Sequence, residues 1–99
     1  MIKVWLDDVR PAPEGYHHVK TYREAMDFID NNEVNWISLD HDLGDYDDMG
    51  REWTGYDVLM RLVEMKLCGA FNGLVFVHSA NIVAVQRMED VIKQYGFNE

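Results

Sequence analysis

Cysteine is nearly absent. Cys68 is the only one in 99 residues, so no internal disulfide can form, and a fold stapled by disulfides is excluded. The scarcity suits a reducing compartment, and a cytoplasmic location is expected. Long apolar runs are missing too: the longest, such as Leu74–Val77, cover four residues, against the ~20 needed to span a bilayer. The first residues also lack a basic segment followed by a long apolar one, so neither a signal peptide nor membrane contact is expected. Bases are few, with 9 Lys and Arg against 18 Asp and Glu and a formal net charge of -9. Such a balance disfavours coating duplex nucleic acid, where Lys and Arg must neutralise phosphates. An anionic substrate would need local help. There is no repeat, low-complexity tract or Ser/Gly-rich linker. The apolar content is sufficient for a core, with 3 Trp, 5 Tyr and 4 Phe, and residues 1–99 read as a single domain.

The pattern alternates strands and helices. Met1–Leu6 is a short β-prone run ending at Asp7-Asp8, and Val9–Gly15 contains Pro11, Pro13 and Gly15, which forbid a regular helix there. Residues 16–20 read as a second strand, followed by the capping-box string Thr21-Tyr22-Arg23-Glu24 and by Ala25, Phe28 and Ile29 at helical spacing. A third strand, Trp36–Leu39, ends in Asp40-His41-Asp42. Gly44–Trp53 is polar and reads as a loop, in which Tyr46 and Trp53 are candidates for base stacking or, more simply, for anchoring. Thr54 caps a helix with the stripe Tyr56, Leu59, Met60, Val63 and Leu67. The strand Leu74–Val77 then stops at His78-Ser79, and a last helix carries Val85, Met88, Ile92 and Tyr95. Cys68 is read as packing, and His17 and His18 as structural. Strands apolar throughout, separated by amphipathic helices, predict a mainly parallel sheet covered on both faces, a three-layer α/β fold.

In such sheets ligands bind beyond the carboxyl ends of the strands, and three of those ends carry reactive side chains. Asp7, Asp8, Asp40 and Asp42 form a natural site for Mg²⁺ or another hard divalent cation, which prefers oxygen ligands. Without a cation, clustered carboxylates repel and raise one another's pKa. Each of these acids taken singly also suits a turn or a helix start.

Val4-Trp5-Leu6-Asp7-Asp8, Ile37-Ser38-Leu39-Asp40 and Phe76-Val77-His78-Ser79-Ala80 resemble the strand ends of a response-regulator receiver domain. That resemblance implies Asp8 and Asp40 as metal ligands, Asp7 in support, the backbone carbonyl of Asp42 as a further ligand, and Ser79 as a phosphate contact. The chain departs from a receiver in two places. About ten Pro-rich residues stand where a receiver has its first crossover helix, and the last strand-helix unit, with its Lys, has no counterpart. A narrower resemblance covers nearly the whole chain: Leu6–Pro13, Ser38–Gly44, Thr54–Asp57 and His78–Asn81 resemble the cyclic-phosphate processing receiver family of bacteria and their phages. It implies a reduced receiver-like (flavodoxin-like) fold of about four strands in the order 2-1-3-4. It also implies a phosphoesterase-like action on cyclic phosphate ends, such as those of RNA, or on a related nucleotide.

The residue types fit that chemistry. Opening a cyclic phosphodiester needs a proton acceptor, a proton donor and charge stabilisation, and His41 and His78 are candidates for the acid/base pair beside Asp40. Arg10 and Arg87 are candidate guanidinium contacts to phosphate. Ser79 and Asn81 stand at a helix N-terminus that favours anions. Each has a plainer role open to it: hydrogen-bonded support for the histidines, capping for Asn81, surface pairing for the arginines. Two other functions remain compatible with the sequence. One is a signalling receiver phosphorylated on Asp40, and the other is an acidic binding protein without catalysis.

Overall fold

A computed structural model describes residues 1–99. The chain forms β1 (Lys3–Leu6), β2 (Tyr16–Val19), α1 (Tyr22–Asn31), β3 (Trp36–Leu39), β4 (Asp42–Tyr46), β5 (Glu52–Thr54), α2 (Gly55–Leu67), β6 (Leu74–Val77) and α3 (Ile82–Gln94). Four strands pair in parallel to give an α/β, receiver-like sheet. No helix is long and apolar enough to cross a membrane.

The sheet order is β2-β1-β3-β6, which corrects the expected 2-1-3-4. The place beside β3 belongs to the sixth strand, because the segment read as a loop folds into two strands of its own. β4 and β5 make a separate antiparallel ribbon. Its turn is held by Asp47, whose carboxylate accepts from the N–H groups of Met49 and Arg51, with Gly50 at φ +79°. Sequence alternation could not reveal this ribbon, since only Leu43 among its residues is buried.

The layering also differs from expectation. Val4, Leu6, Val19, Ile37, Leu39 and Val75 project from one face of the sheet into the core, where they meet side chains from all three helices. The opposite face carries Lys3, Trp5, Tyr16, His18, Trp36 and Phe76, half-buried and outside that core. The fold therefore has two layers rather than three. Without the first crossover helix and the last strand-helix unit, nothing helical covers the second face. The strands read as apolar throughout because that open face is largely aromatic where a polar one would have signalled exposure.

Local choices agree with the helix signals. The Thr21 hydroxyl accepts from Glu24 N–H at 3.1 Å, and the Glu24 carboxylate reaches back to Lys20 N–H at 3.1 Å. At α2, the Thr54 N–H donates to Asp57 at 2.8 Å in a capping box. The buried residues of α2 are Gly55, Val58, Leu59, Leu62 and Val63, so the expected stripe lay part of a turn away and its last member, Leu67, is exposed. Cys68 is exposed as well, which corrects its reading as packing. β6 is an edge strand, and the Asn98 side chain accepts from Val75 N–H at 2.9 Å and donates to Val75 C=O at 2.7 Å.

Candidate cation and phosphate site

β1 and β3 are adjacent, with Leu6 opposite Leu39, so the residues that follow them emerge side by side at one rim. Asp7, Asp8 and Asp40 each offer a carboxylate oxygen there, all within 4.8 Å of one another. They line a shallow cleft with Val9, Arg10, Asp42, Gly44, Ser79 and Ala80. Three close carboxylates make an all-oxygen donor set of the kind that hard divalent cations take.

Asp7 is buried, with 1% of its surface exposed, and its carboxylate is tightly held. Oδ1 accepts from Val9 N–H and Arg10 N–H, each at 2.8 Å, and Oδ2 accepts from His78 Nε2 at 3.0 Å. Burial works against the charge. The Arg10 and Val9 N–H groups and the His78 ring outweigh it, and the Asp7 pKa is lowered. Asp40 goes the other way. Burial raises its pKa, the His41 N–H and Ser79 hydroxyl offset this only in part, and the negative charge of Asp7 adds to the rise. One acid of the cluster is thus fixed as an anion while its neighbour bears the repulsion that a cation would relieve.

His78 lies beneath this rim. Its ring stacks on Trp5 with centroids 3.6 Å apart, and its Nδ1 lies 2.7 Å from the Ser38 hydroxyl. Burial lowers its pKa, against the opposing pull of Asp7. A neutral ring facing an ionised Asp7 carries its proton on Nε2, so the Ser38 hydroxyl donates to Nδ1. Both ring nitrogens are therefore committed. Arg10 closes the group: its Nη1 donates to the His78 carbonyl at 2.8 Å, and its own carbonyl accepts from Trp5 Nε1 at 3.3 Å.

Of the other expected residues, Asp42 and Ser79 line the cleft, whereas His41, Asn81 and Arg87 do not. The Asp42 carboxylate is not among the three clustered acids and pairs with His41 Nδ1 at 2.8 Å. His41 donates its backbone N–H to Asp40 Oδ1 at 2.8 Å, and its ring does not line the cleft. Ser79 lines the cleft, and its Oγ accepts from Asn81 N–H at 3.1 Å. Asn81 caps α3 by accepting from Ala84 N–H at 3.1 Å, while the Arg87 guanidinium lies over the Tyr56 ring at 4.5 Å. Neither lines the cleft. His18 Nε2 bonds the Asp7 carbonyl at 2.7 Å, and His17 stacks on Phe28, both in keeping with structural roles. Trp53 stacks on Tyr22 at 4.3 Å and so anchors the ribbon.

Two further residues shape the site. Ser38 is buried, and its signal was a lone hydroxyl within an apolar strand. Gly55 starts α2 directly against the Asp40–His41 backbone, where a Cβ would collide with the Asp40 carbonyl, and its N–H donates to the His41 carbonyl at 2.9 Å. A side chain there would displace the loop that aims Asp40.

The parallel sheet and its acidic rim define a receiver-like domain. A family model described as the cyclic-phosphate processing receiver domain matches residues 2–94, and the chain belongs to that family. No curated protein and no solved structure matches the chain.

Proposed function

We propose that the protein is a metal-dependent phosphoesterase acting on cyclic phosphate ends, of RNA or of a related nucleotide. The observation that carries this reading is the convergence of Asp7, Asp8 and Asp40 within 4.8 Å at the carboxyl ends of adjacent parallel strands. Those three side chains would hold Mg²⁺ or a similar hard cation, with Asp42 supporting from β4. Bound there, such an ion supplies positive charge for phosphate oxygens and a more acidic water.

The chain's own residues account for the rest. Asp7 stays ionised because two backbone N–H groups and His78 donate to it. His78 acts as its positioning residue, and Ser38 holds His78 in turn. Arg10 is the one basic residue lining the cleft. One nitrogen of its guanidinium is tied to the His78 carbonyl, leaving other N–H groups for a phosphate. The Ser79 hydroxyl and the N-terminus of α3 support the same anion. His41 lies outside the cleft with Nδ1 paired to Asp42, and its part is to hold the Asp40 carboxylate through its backbone N–H. Asn81 and Arg87 contribute indirectly, through the cap of α3 and the contact with Tyr56.

The test is a panel of cyclic nucleotides and short RNAs ending in a cyclic phosphate, incubated with purified protein in Mg²⁺ or in EDTA. Ring opening is expected in Mg²⁺ alone and is lost in Asp40→Asn. Turnover of none of them, or turnover indifferent to Asp40→Asn, overturns the reading.

A further inference from the structure

The open face of the sheet runs straight into the acidic rim. Side chains alternate along a strand, so Lys3 and Trp5 on β1 share a face with Asp7, and Trp36 and Ser38 on β3 with Asp40. On β6, Leu74 and Phe76 lead in the same way to His78. The contacts at the top confirm the continuity: His78 stacks on Trp5 and bonds both Ser38 and Asp7.

This face has an unusual make-up for such an acidic chain. Its strand positions are Lys3, Trp5, Tyr16, His18, Trp36, Ser38, Leu74 and Phe76, and none is a carboxylate although the protein carries 18. Four of these residues are aromatic. Trp36 and Phe76 sit side by side with centroids 4.5 Å apart, and the Lys3 ammonium lies over both Trp36 and Tyr16, at 4.7 and 4.8 Å. The Asp7–Gly15 connection passes beside Trp5, as its bond to Arg10 shows. Trp36 and Phe76 on the β3–β6 half stay half-buried, and Phe76 also borders a cavity lined by Glu89, Ile92 and Lys93 of α3 and by Glu99.

We propose that this face binds the bases of a single-stranded nucleic acid whose phosphate end lies in the cleft, so that the preferred substrate is an oligonucleotide end and not a free mononucleotide. The inference rests on the phosphoesterase reading for its anchor at the rim. Flat aromatic side chains on an open sheet are a general platform for stacking unpaired bases. The strand positions themselves hold no carboxylate and Lys3 adds a positive charge, so a nucleic-acid backbone can approach between the acidic rim and the carboxylates of Glu89 and Glu99 that border Phe76. Trp36 stands four residues before Asp40, roughly 13 Å along the strand, which leaves room for bases between the platform and the rim.

The experiment uses a fluorescein-labelled single-stranded oligoadenylate and AMP as probes in Mg²⁺, with hydrolysis of a cyclic mononucleotide as a parallel readout. Oligoadenylate is expected to bind at least tenfold more tightly than AMP. Trp36→Ala should weaken oligoadenylate about tenfold while leaving AMP binding and cyclic-mononucleotide turnover unchanged. Lys3→Glu, a milder substitution, should act in the same direction and keeps the test valid if Trp36→Ala unfolds the chain. Equal affinity for the two probes, or oligoadenylate binding indifferent to both variants, overturns the proposal. A dimer in sedimentation that Trp36→Ala disperses also overturns it, in favour of a second copy on this face. Oligoadenylate binding that is sensitive to both variants, in a protein that opens no cyclic phosphate, sinks the phosphoesterase reading and leaves the platform standing.

Discussion

His78 donates from Nε2 to the buried carboxylate of Asp7 at 3.0 Å, and the same ring is gripped from its other nitrogen by Ser38 at 2.7 Å. This buried chain fixes Asp7, one of the three acids of the cluster. Carboxylates that hold cations are commonly fixed by such outer hydrogen bonds, whose loss typically costs 10–100-fold in affinity.

Ser38→Ala should therefore weaken Mn²⁺ binding by about tenfold or more, read by titration calorimetry. It leaves a buried imidazole nitrogen without a partner and should also cost ~1–3 kcal/mol of stability in urea unfolding. In a His78→Gln background the same substitution should add almost nothing to the Mn²⁺ defect, because the effect passes through the ring. An equal penalty in both backgrounds would show that Ser38 acts by another route.

The metal-free fold should lose stability as pH falls below neutral. The His78 pKa is lowered in the fold, so from about its ordinary 6.5 downward the unfolded chain takes up the proton first, and the loss continues to the lowered folded value. Asp7 adds a second loss at lower pH. Its folded pKa lies below the ordinary 3.8, so its contribution is present above that value and disappears as pH falls through the folded one. Thermal unfolding in EDTA across this range is the measurement. His78→Gln should flatten the upper part of the profile.

Asp40 has the opposite sign. Its pKa is raised in the fold, so its ionised form costs stability at neutral pH. Asp40→Asn should raise the melting temperature of the metal-free protein at pH 7 while abolishing the further rise that Mg²⁺ gives the wild type. A variant that melts lower than the wild type in EDTA would contradict this assignment.

Gly55→Ala forces a methyl group into the Asp40 carbonyl. Overpacking against backbone should cost ~1–3 kcal/mol or more, and the shift of the Asp40–His41 loop should weaken Mn²⁺ binding even in the molecules that remain folded. Urea unfolding and calorimetry on the same sample separate the two effects.

Much of the fold was legible in the sequence because the signals were local. Thr21 and Thr54 begin helices through their own side chains or near neighbours, and Asp7, Asp8 and Asp40 end strands at positions that parallel pairing brings together. What misled was indirect. A face built of Trp5, Trp36 and Phe76 is as apolar as a covered one, so hydropathy could not tell an open layer from a buried one. The β4–β5 ribbon is hidden because Asp42, Asp45 and Glu52 suit a loop equally well. The tie between Ser38, His78 and Asp7 spans 40 and 71 residues, and no spacing rule reaches that far.

The amide of Asn98, bonded to both the N–H and the C=O of Val75, stands in for the peptide group of a neighbouring strand. An unprotected strand border invites pairing with another molecule. This one side chain blocks the outer edge at Val75, so deamidation of Asn98 would take away the donor to the Val75 carbonyl and leave that border of the sheet less protected.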